Sequence, residues 1–345
     1  MKNLFADIRV LLAVLLVTLS GQVAMAQTDR VYTNDSTTPT SGQIVQADKN
    51  GVKLKTGANE KTFLAGDIRK ILYQGDPSEL TKGREAALGG NYEDAVEELE
   101  GLNVATLPRA AIKADAAYYL LLAKARLALA GRGDKAAAAQ AALAFARSNS
   151  DSYHFYSVAR LLGDLALALN NHDQAILYYG SLKNAPTTEM KVESKYLTGV
   201  AQLAKGDVAA ADAAFNEVLG LQVNSAAVLR LQKLSQAGRA VALANNGKGD
   251  EALKIVNGLI EELSPNDVEM AARIYNAQGA SYDAMGDKEG AIMAYLHTHL
   301  LFSSQPDAHA QALSRLVELW PQVGRPERVA EARQELEQRY PGYGK

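Results

Sequence analysis

The residues from which a chemical site might be assembled are five histidines, 39 carboxylates and a series of glycine-bearing turns. A metal site or a general base needs histidines that converge. His297 and His299 are two residues apart, which on a helix turns them about 200° away from each other. His309 follows a loop later, beyond Pro306, while His154 and His172 belong to another stretch of chain. No pair has the i, i+4 spacing that places two imidazoles on one helical face, so all five are expected to be ordinary surface or groove residues. The segment from Asn245 to Asp250 carries Lys248 after Gly247. It lacks the earlier glycine and the following Ser or Thr of a phosphate loop. No Gly-x-Ser-x-Gly elbow occurs, and the acidic pairs Glu97-Glu98 and Glu261-Glu262 have the pattern of solvated helix faces. The absence of cysteine removes disulfides, thiolate metal sites, a cysteine nucleophile and a lipid-bearing cysteine. Nothing organises an acid, a base and a nucleophile together. We therefore expect no enzymatic activity, no cofactor and no metal.

The elements that surround these residues narrow the class further. A net charge of -3 over 345 residues lacks the basic excess of a nucleic-acid binder. Residues 1–26 have the form of a secretory signal. Lys2 and Arg9 precede the apolar run from Val10 to Leu19, and Ala24-Met25-Ala26 fits a small-x-small cleavage site. Cleavage after Ala26 is expected to leave an exported chain, periplasmic or secreted. The apolar run is shorter than the roughly 20 residues a membrane span needs, and no later segment is long enough.

Residues 27–75 alternate with period two. Arg30-Val31-Tyr32, Gln43 to Gln46, Val52 to Lys55, Thr62 to Leu64 and Ile68 to Tyr73 are expected strands. Asn50-Gly51 is expected to form a hairpin turn with positive φ, and Gly57 to Glu60 a second one. From about 76 to 345 the pattern is helical and repeats. A small turn residue is followed five positions on by an alanine, at Gly90-Asn91 and Ala95, Gly133-Asp134 and Ala138, and Asn170-Asn171 and Ala175. It continues at Gly206-Asp207 and Ala211, Gly247-Lys248 and Ala252, Gly286-Asp287 and Ala291, with a worn copy at Gly324 and Ala330. Seven residues before the turn stands Gly83, Gly163, Gly199, Ala240 or Gly279, which keeps to one face of the first helix. Four residues after the alanine stands Leu99, Tyr179, Phe215, Val256 or Tyr295, expected to fill the gap toward the next repeat.

With these residues in place, the helical part resembles the tetratricopeptide-repeat family. Its best copy comprises Gln278-Gly279, Tyr282, Gly286-Asp287, Ala291 and Tyr295. The β-rich stretch resembles a small SH3- or Sm-like barrel, expected to serve as a structural cap or partner-binding module. The RNA binding that an Sm-like resemblance implies is opposed by the acidic charge and the export signal. The fold class is thus mainly α: an α–α superhelical solenoid of about six or seven repeats after a small β module and a signal peptide. The family resemblance implies a concave groove lined by the first helices, with Arg84, Arg160, Asp164, Tyr196, Arg273, Asn276 and Asp283 on it and Leu203, Leu234 and Val241 midway. Its expected occupant is a protein or peptide of the cell envelope, with self-association left open. The alternative is a glycan or peptidoglycan ligand stacked on tyrosines such as Tyr118-Tyr119, Tyr178-Tyr179 and Tyr196. A hydrolase using Asp164 or His154 is a third, weaker reading.

Overall fold

The computed structural model describes residues 28–343 apart from 224 and 265; the expected signal at 1–26 lies outside them. Five antiparallel strands come first: β1 (Asp29–Thr33), β2 (Thr40–Asp48), β3 (Gly51–Thr56), β4 (Asn59–Leu64) and β5 (Ile68–Leu72). They lie in the order β4-β3-β2-β1-β5, so the two outermost strands are the pair joined by the short turn Ala65–Asp67. This five-stranded sheet is compatible with the small-barrel resemblance. The first hairpin differs in detail from the expectation. Asp48 pairs with Gly51, so the two-residue loop is Lys49-Asn50. Asn50 keeps a negative φ, and the positive value is that of Gly51 alone, at 149°. Only glycine fits there, because a Cβ would lie 1.9 Å from the Phe63 carbonyl oxygen.

The sheet shares its core with the helices that follow. Val31, Leu54, Phe63 and Ile71 pack in one cluster with Leu80, Ile112 and Tyr119. Asp29, almost fully buried, accepts from the backbone N–H groups of Ile44 and Gln74 and from both arms of Arg109, at 2.5 and 3.1 Å. A buried carboxylate with four donors is well satisfied, and it ties strands β1 and β2 to the start of the helical region.

Among the described residues, the remainder forms seven helical hairpins. They are α1 (Ser78–Leu88) with α2 (Tyr92–Glu100), α3 (Ala110–Leu129) with α4 (Lys135–Ser148), and α5 (Phe155–Ala168) with α6 (His172–Ser181). Next come α7 (Thr188–Lys205) with α8 (Val208–Leu219) and α9 (Ala226–Asn245) with α10 (Gly249–Glu261). The last two pairs are α11 (Val268–Ala284) with α12 (Lys288–Leu301), and α13 (Pro306–Leu319) with α14 (Glu327–Arg339). None of these helices is long and apolar enough to cross a membrane.

The turn motif has a simple physical basis. Gly206 and Gly286 close their first helices at φ 87° and 83°, a left-handed geometry that costs glycine nothing. Asp207 and Asp287 then cap the second helices, accepting from the N–H groups of Ala210 and Gly290 at 3.1 and 2.8 Å. Asn170 takes the glycine's place at φ 57° and is the one non-glycine residue with positive φ among the described residues. The second hairpin departs from the expected register. Its left-handed residue is Gly131, not Gly133, so two extra residues separate it from the cap Asp134. In the last hairpin the buried small residue is Ala332, while Ala330 is exposed.

The small residue of each first helix receives the bulky residue of its own second helix. A Cβ on Gly83 would stand 2.4 Å from Leu99, on Gly163 2.3 Å from Tyr179, and on Gly279 2.7 Å from Tyr295. The bulky group also meets the next repeat as expected, Tyr179 clustering with Val192 and Tyr196, and Tyr295 with Ala310 and Leu313. Phe215 does both, lying against Gly199 within its hairpin and Gly238 of the next. First helices also pack on first helices, α7 on α9 and α9 on α11, so their remaining faces line the inside of the superhelix. The chain then meets itself. Asn170 donates to the carbonyl of Gly342 at 2.8 Å, and Gly131 lies directly against the Arg339 carbonyl.

Candidate binding groove

The inner faces enclose one elongated channel of about 1520 Å³, lined from Gly90 to Tyr343. Six of the seven residues expected on a groove lie along it: Arg160, Asp164, Tyr196, Arg273, Asn276 and Asp283, with Leu203, Leu234 and Val241 between them. Arg84 is elsewhere. It is fully buried, with Nη2 2.7 Å from Asp115 and 2.9 Å from Asp76, and Nε donating to Asp115 at 2.8 Å. The physical reason is that the inner face of α1 is covered by α3 and by the link from β5, which carries Asp76. A charge so placed serves the core and touches no solute.

The groove is a ladder of opposite charges. Arg126 contacts Asp164 at 3.3 Å, and Asp164 also accepts from the Tyr179 hydroxyl at 2.9 Å. Arg160 pairs with Glu193 at 3.0 Å, and Arg230 reaches both Asp267 and Glu269 at 2.8 Å. Arg273 spans Glu269 and Asp307, while Asp283 pairs with Arg315 and Lys288. Burial works to raise Glu269, but Arg273 and Arg230 outweigh it and hold its carboxyl below the ordinary value. At Glu193 burial prevails over Arg160 and its carboxyl is pushed up, helped by Asp164 and Glu269 nearby. The two carboxylates, of which Glu269 lines the channel, are thus driven apart in affinity for a proton.

Three polar atoms in this ladder are buried without a partner: the Tyr196 hydroxyl, Arg160 Nε and the Asn276 side-chain oxygen. The amide nitrogen of Asn276 is occupied, donating to the Ala308 carbonyl at 2.8 Å and to Gln311 at 3.0 Å. Its orientation is therefore set by these bonds, and its oxygen has no partner among the described residues.

The architecture has a solved counterpart. A tetratricopeptide repeat protein from Parabacteroides merdae matches with a TM-score of 0.53 at 18% identity, over 79% of this chain and 95% of that one. The fold is the tetratricopeptide-repeat fold. The TPR domain of P58(IPK) also matches, at a TM-score of 0.27 and 14% identity over 75% of this chain and 73% of that one, a likeness too low to add to it. No protein-family model and no curated protein matches the sequence.

In this tetratricopeptide-repeat groove, sequence reasoning missed Arg126, Glu269, Asp307 and Arg315. Each lies on a first helix or its first turn, at the same face as the expected residues, so helical phase was the available signal. Of the tyrosines in the stacking alternative, Tyr118, Tyr119, Tyr179 and Tyr196 are each 9% exposed or less, while Tyr178 is half-buried and does not line the channel. Nor are the histidines ordinary surface groups throughout. His154 and His309 are buried. His154 stacks on Tyr118 with ring centroids 3.6 Å apart and contacts Asp115 at 2.8 Å. Asp164 and His154 therefore stand in different surroundings, one in the channel and one in the core, and the structure does not bring the two together.

Proposed function

We propose that this protein is a non-catalytic scaffold that holds an extended segment of a partner protein in its inner groove, outside the cytoplasm. The observation that carries this reading is the set of unpartnered polar atoms along a continuous channel. A buried polar group left alone costs about 1–3 kcal/mol, and a peptide backbone supplies the missing partners at close intervals. These atoms have almost no open surface, so the wall side chains must turn as the segment enters; its carbonyl then accepts from the Tyr196 hydroxyl or Arg160 Nε, and its N–H donates to the Asn276 oxygen. The alternating charges then select a segment carrying both signs, since each rung already balances a cation against an anion. The signal-like residues 1–26 support export, and with it a partner in the cell envelope or the medium.

The test is capture from an envelope extract by the wild-type protein and by Tyr196→Phe, Arg160→Glu and Glu331→Gln, the last being an exposed residue on α14. A true groove partner is retained by Glu331→Gln, weakened by Tyr196→Phe and lost with Arg160→Glu while helicity persists. If every captured protein is held equally by all four, the groove is not the binding site and the reading fails.

A further inference from the structure

Three side chains far apart in sequence meet where the last two hairpins join. His299 lies in the last turn of α12, His309 in the first turn of α13 and Glu335 in the middle of α14. One ligand atom from each lies within 4.8 Å of the others. We propose that His299, His309 and Glu335 bind one divalent transition-metal ion, zinc foremost, at this joint. The proposal is independent of what the groove holds.

The geometry is close to that of a three-ligand site. His299 Nδ1 and His309 Nε2 are 2.8 Å apart in coplanar rings, a hydrogen bond whose proton an ion would replace, and Glu335 Oε1 is 3.7 Å from His309 Nε2. Zinc–ligand bonds of about 2.0–2.1 Å at a tetrahedral angle separate ligand atoms by roughly 3.3 Å. These two separations bracket that distance, and the third side of the triangle, read between His299 Nε2 and Glu335 Oε2, is 3.9 Å, so the rings and the carboxylate must turn to present one atom each to a common ion. Two imidazoles and a carboxylate, with no thiolate, suit zinc and its neighbours copper and nickel rather than magnesium or calcium. Three protein ligands leave a fourth position for water or a partner's side chain.

The surroundings prepare the ligands. The Tyr340 hydroxyl contacts His309 Nδ1 at 2.8 Å, which orients the ring and leaves Nε2 to face the site. His299 and Glu335 are 22% and 33% exposed, which gives an ion a way in beside a fully buried His309. Arg339 works the other way, holding Glu335 Oε1 at 3.0 Å. It competes for Oε1, the oxygen that faces His309, so an ion must displace that contact or take Oε2, which lies 3.9 Å from His299 Nε2. An ion here would join α12, α13 and α14, the last of which carries Arg339 toward its contact with Gly131.

The full-length protein, stripped with a chelator, is titrated with zinc chloride by calorimetry and melted with and without zinc. The expected result is one ion per chain and a Tm raised by zinc and returned by chelator. His299→Ala and Glu335→Gln weaken binding tenfold or more, Tyr340→Phe by about 10–100-fold through loss of ring orientation. His172→Ala, at a histidine remote from the cluster, leaves it unchanged. Absence of saturable zinc binding overturns the proposal. Equal binding by His299→Ala, Glu335→Gln and wild type does so as well, because it places the ion elsewhere.

Discussion

Gly279 and Tyr295 illustrate how single residues set the hairpin spacing. A Cβ on Gly279 would meet the Tyr295 ring at 2.7 Å, a contact the ring cannot escape because it is 1% exposed. The fifth hairpin solves the same problem with Ala240 opposite the smaller Val256, both fully buried. Gly279→Ala is therefore expected to destabilise by about 1–3 kcal/mol through overpacking. The double change Gly279→Ala with Tyr295→Val is expected to be more stable than the sum of the two single changes by more than about 0.5 kcal/mol. Denaturant unfolding of the four proteins measures that coupling, and strict additivity would contradict the contact. His154 carries a second prediction. Burial lowers its pKa against the opposing pull of Asp115, with Arg84 adding to the burial effect. The fold thus prefers the neutral ring, and the unfolded chain takes up the proton first, near 6.5. Its contribution is complete above that pH and is lost as pH falls below it. Glu193, raised by burial, has the opposite slope at lower pH, so the comparison must be with a variant. His154→Gln, which keeps an N–H for Asp115, is expected to lose less Tm between pH 7.5 and 5.5 than the wild type.

Helix boundaries are where the sequence was most legible, and the reason is that they depend on local conformation. A left-handed glycine followed by a capping Asp or Asn can be recognised from two adjacent residues, and it marks Gly206-Asp207 and Gly286-Asp287 correctly. The same logic finds the helix phase, and with it six groove residues. Features set by distant parts of the chain were not legible. Arg84 has the same place beside its small residue as Asp164, but α3 and the β5 link cover it. His299 and His309 looked separated by a loop, yet the last turn of one helix and the first of the next are neighbours in a stack of hairpins. The extra residues after Gly131 shift a copy without altering its composition. The local rule makes its own prediction at Lys248, which holds the capping position of α10 with φ -100° and ψ 54° and offers no side-chain bond. Its backbone is close to that of Asp267 and Asp287, which do cap. Lys248→Asp is expected to stabilise by about 0.5–1 kcal/mol, less than a cap alone because an exposed contact with Glu251 is lost. Asp207→Ala is expected to cost about 1 kcal/mol in the same assay.

The molecule as a whole is bounded at one end by the sheet and at the other by its own return. The sheet covers the first helices, sharing a core with them, so it caps a stack whose terminal repeat would otherwise expose an apolar face. At the far end α14 comes back to the second and third hairpins through Gly131 and Asn170. Asn170 is instructive: its backbone adopts the conformation that glycine holds in the neighbouring turns, and its side chain makes the bond to Gly342 that glycine cannot. Gly131 allows a test of whether this closure holds the channel's shape. Gly131 and Gly90 have the same φ, 82° and 81°, so an alanine at either meets the same left-handed strain of about 1–2 kcal/mol. They differ in surroundings. A Cβ at 90 meets nothing within 4 Å, whereas at 131 it would lie 1.9 Å from the Arg339 carbonyl oxygen. Both Gly90→Ala and Gly131→Ala are expected to fold with unchanged helicity, but only Gly131→Ala pushes α14 away. Small-angle scattering then reports a larger radius of gyration for Gly131→Ala alone, and binding of the groove's occupant weakens with it. Equal radii for the two variants would show that α14 rests against the ring without restraining it.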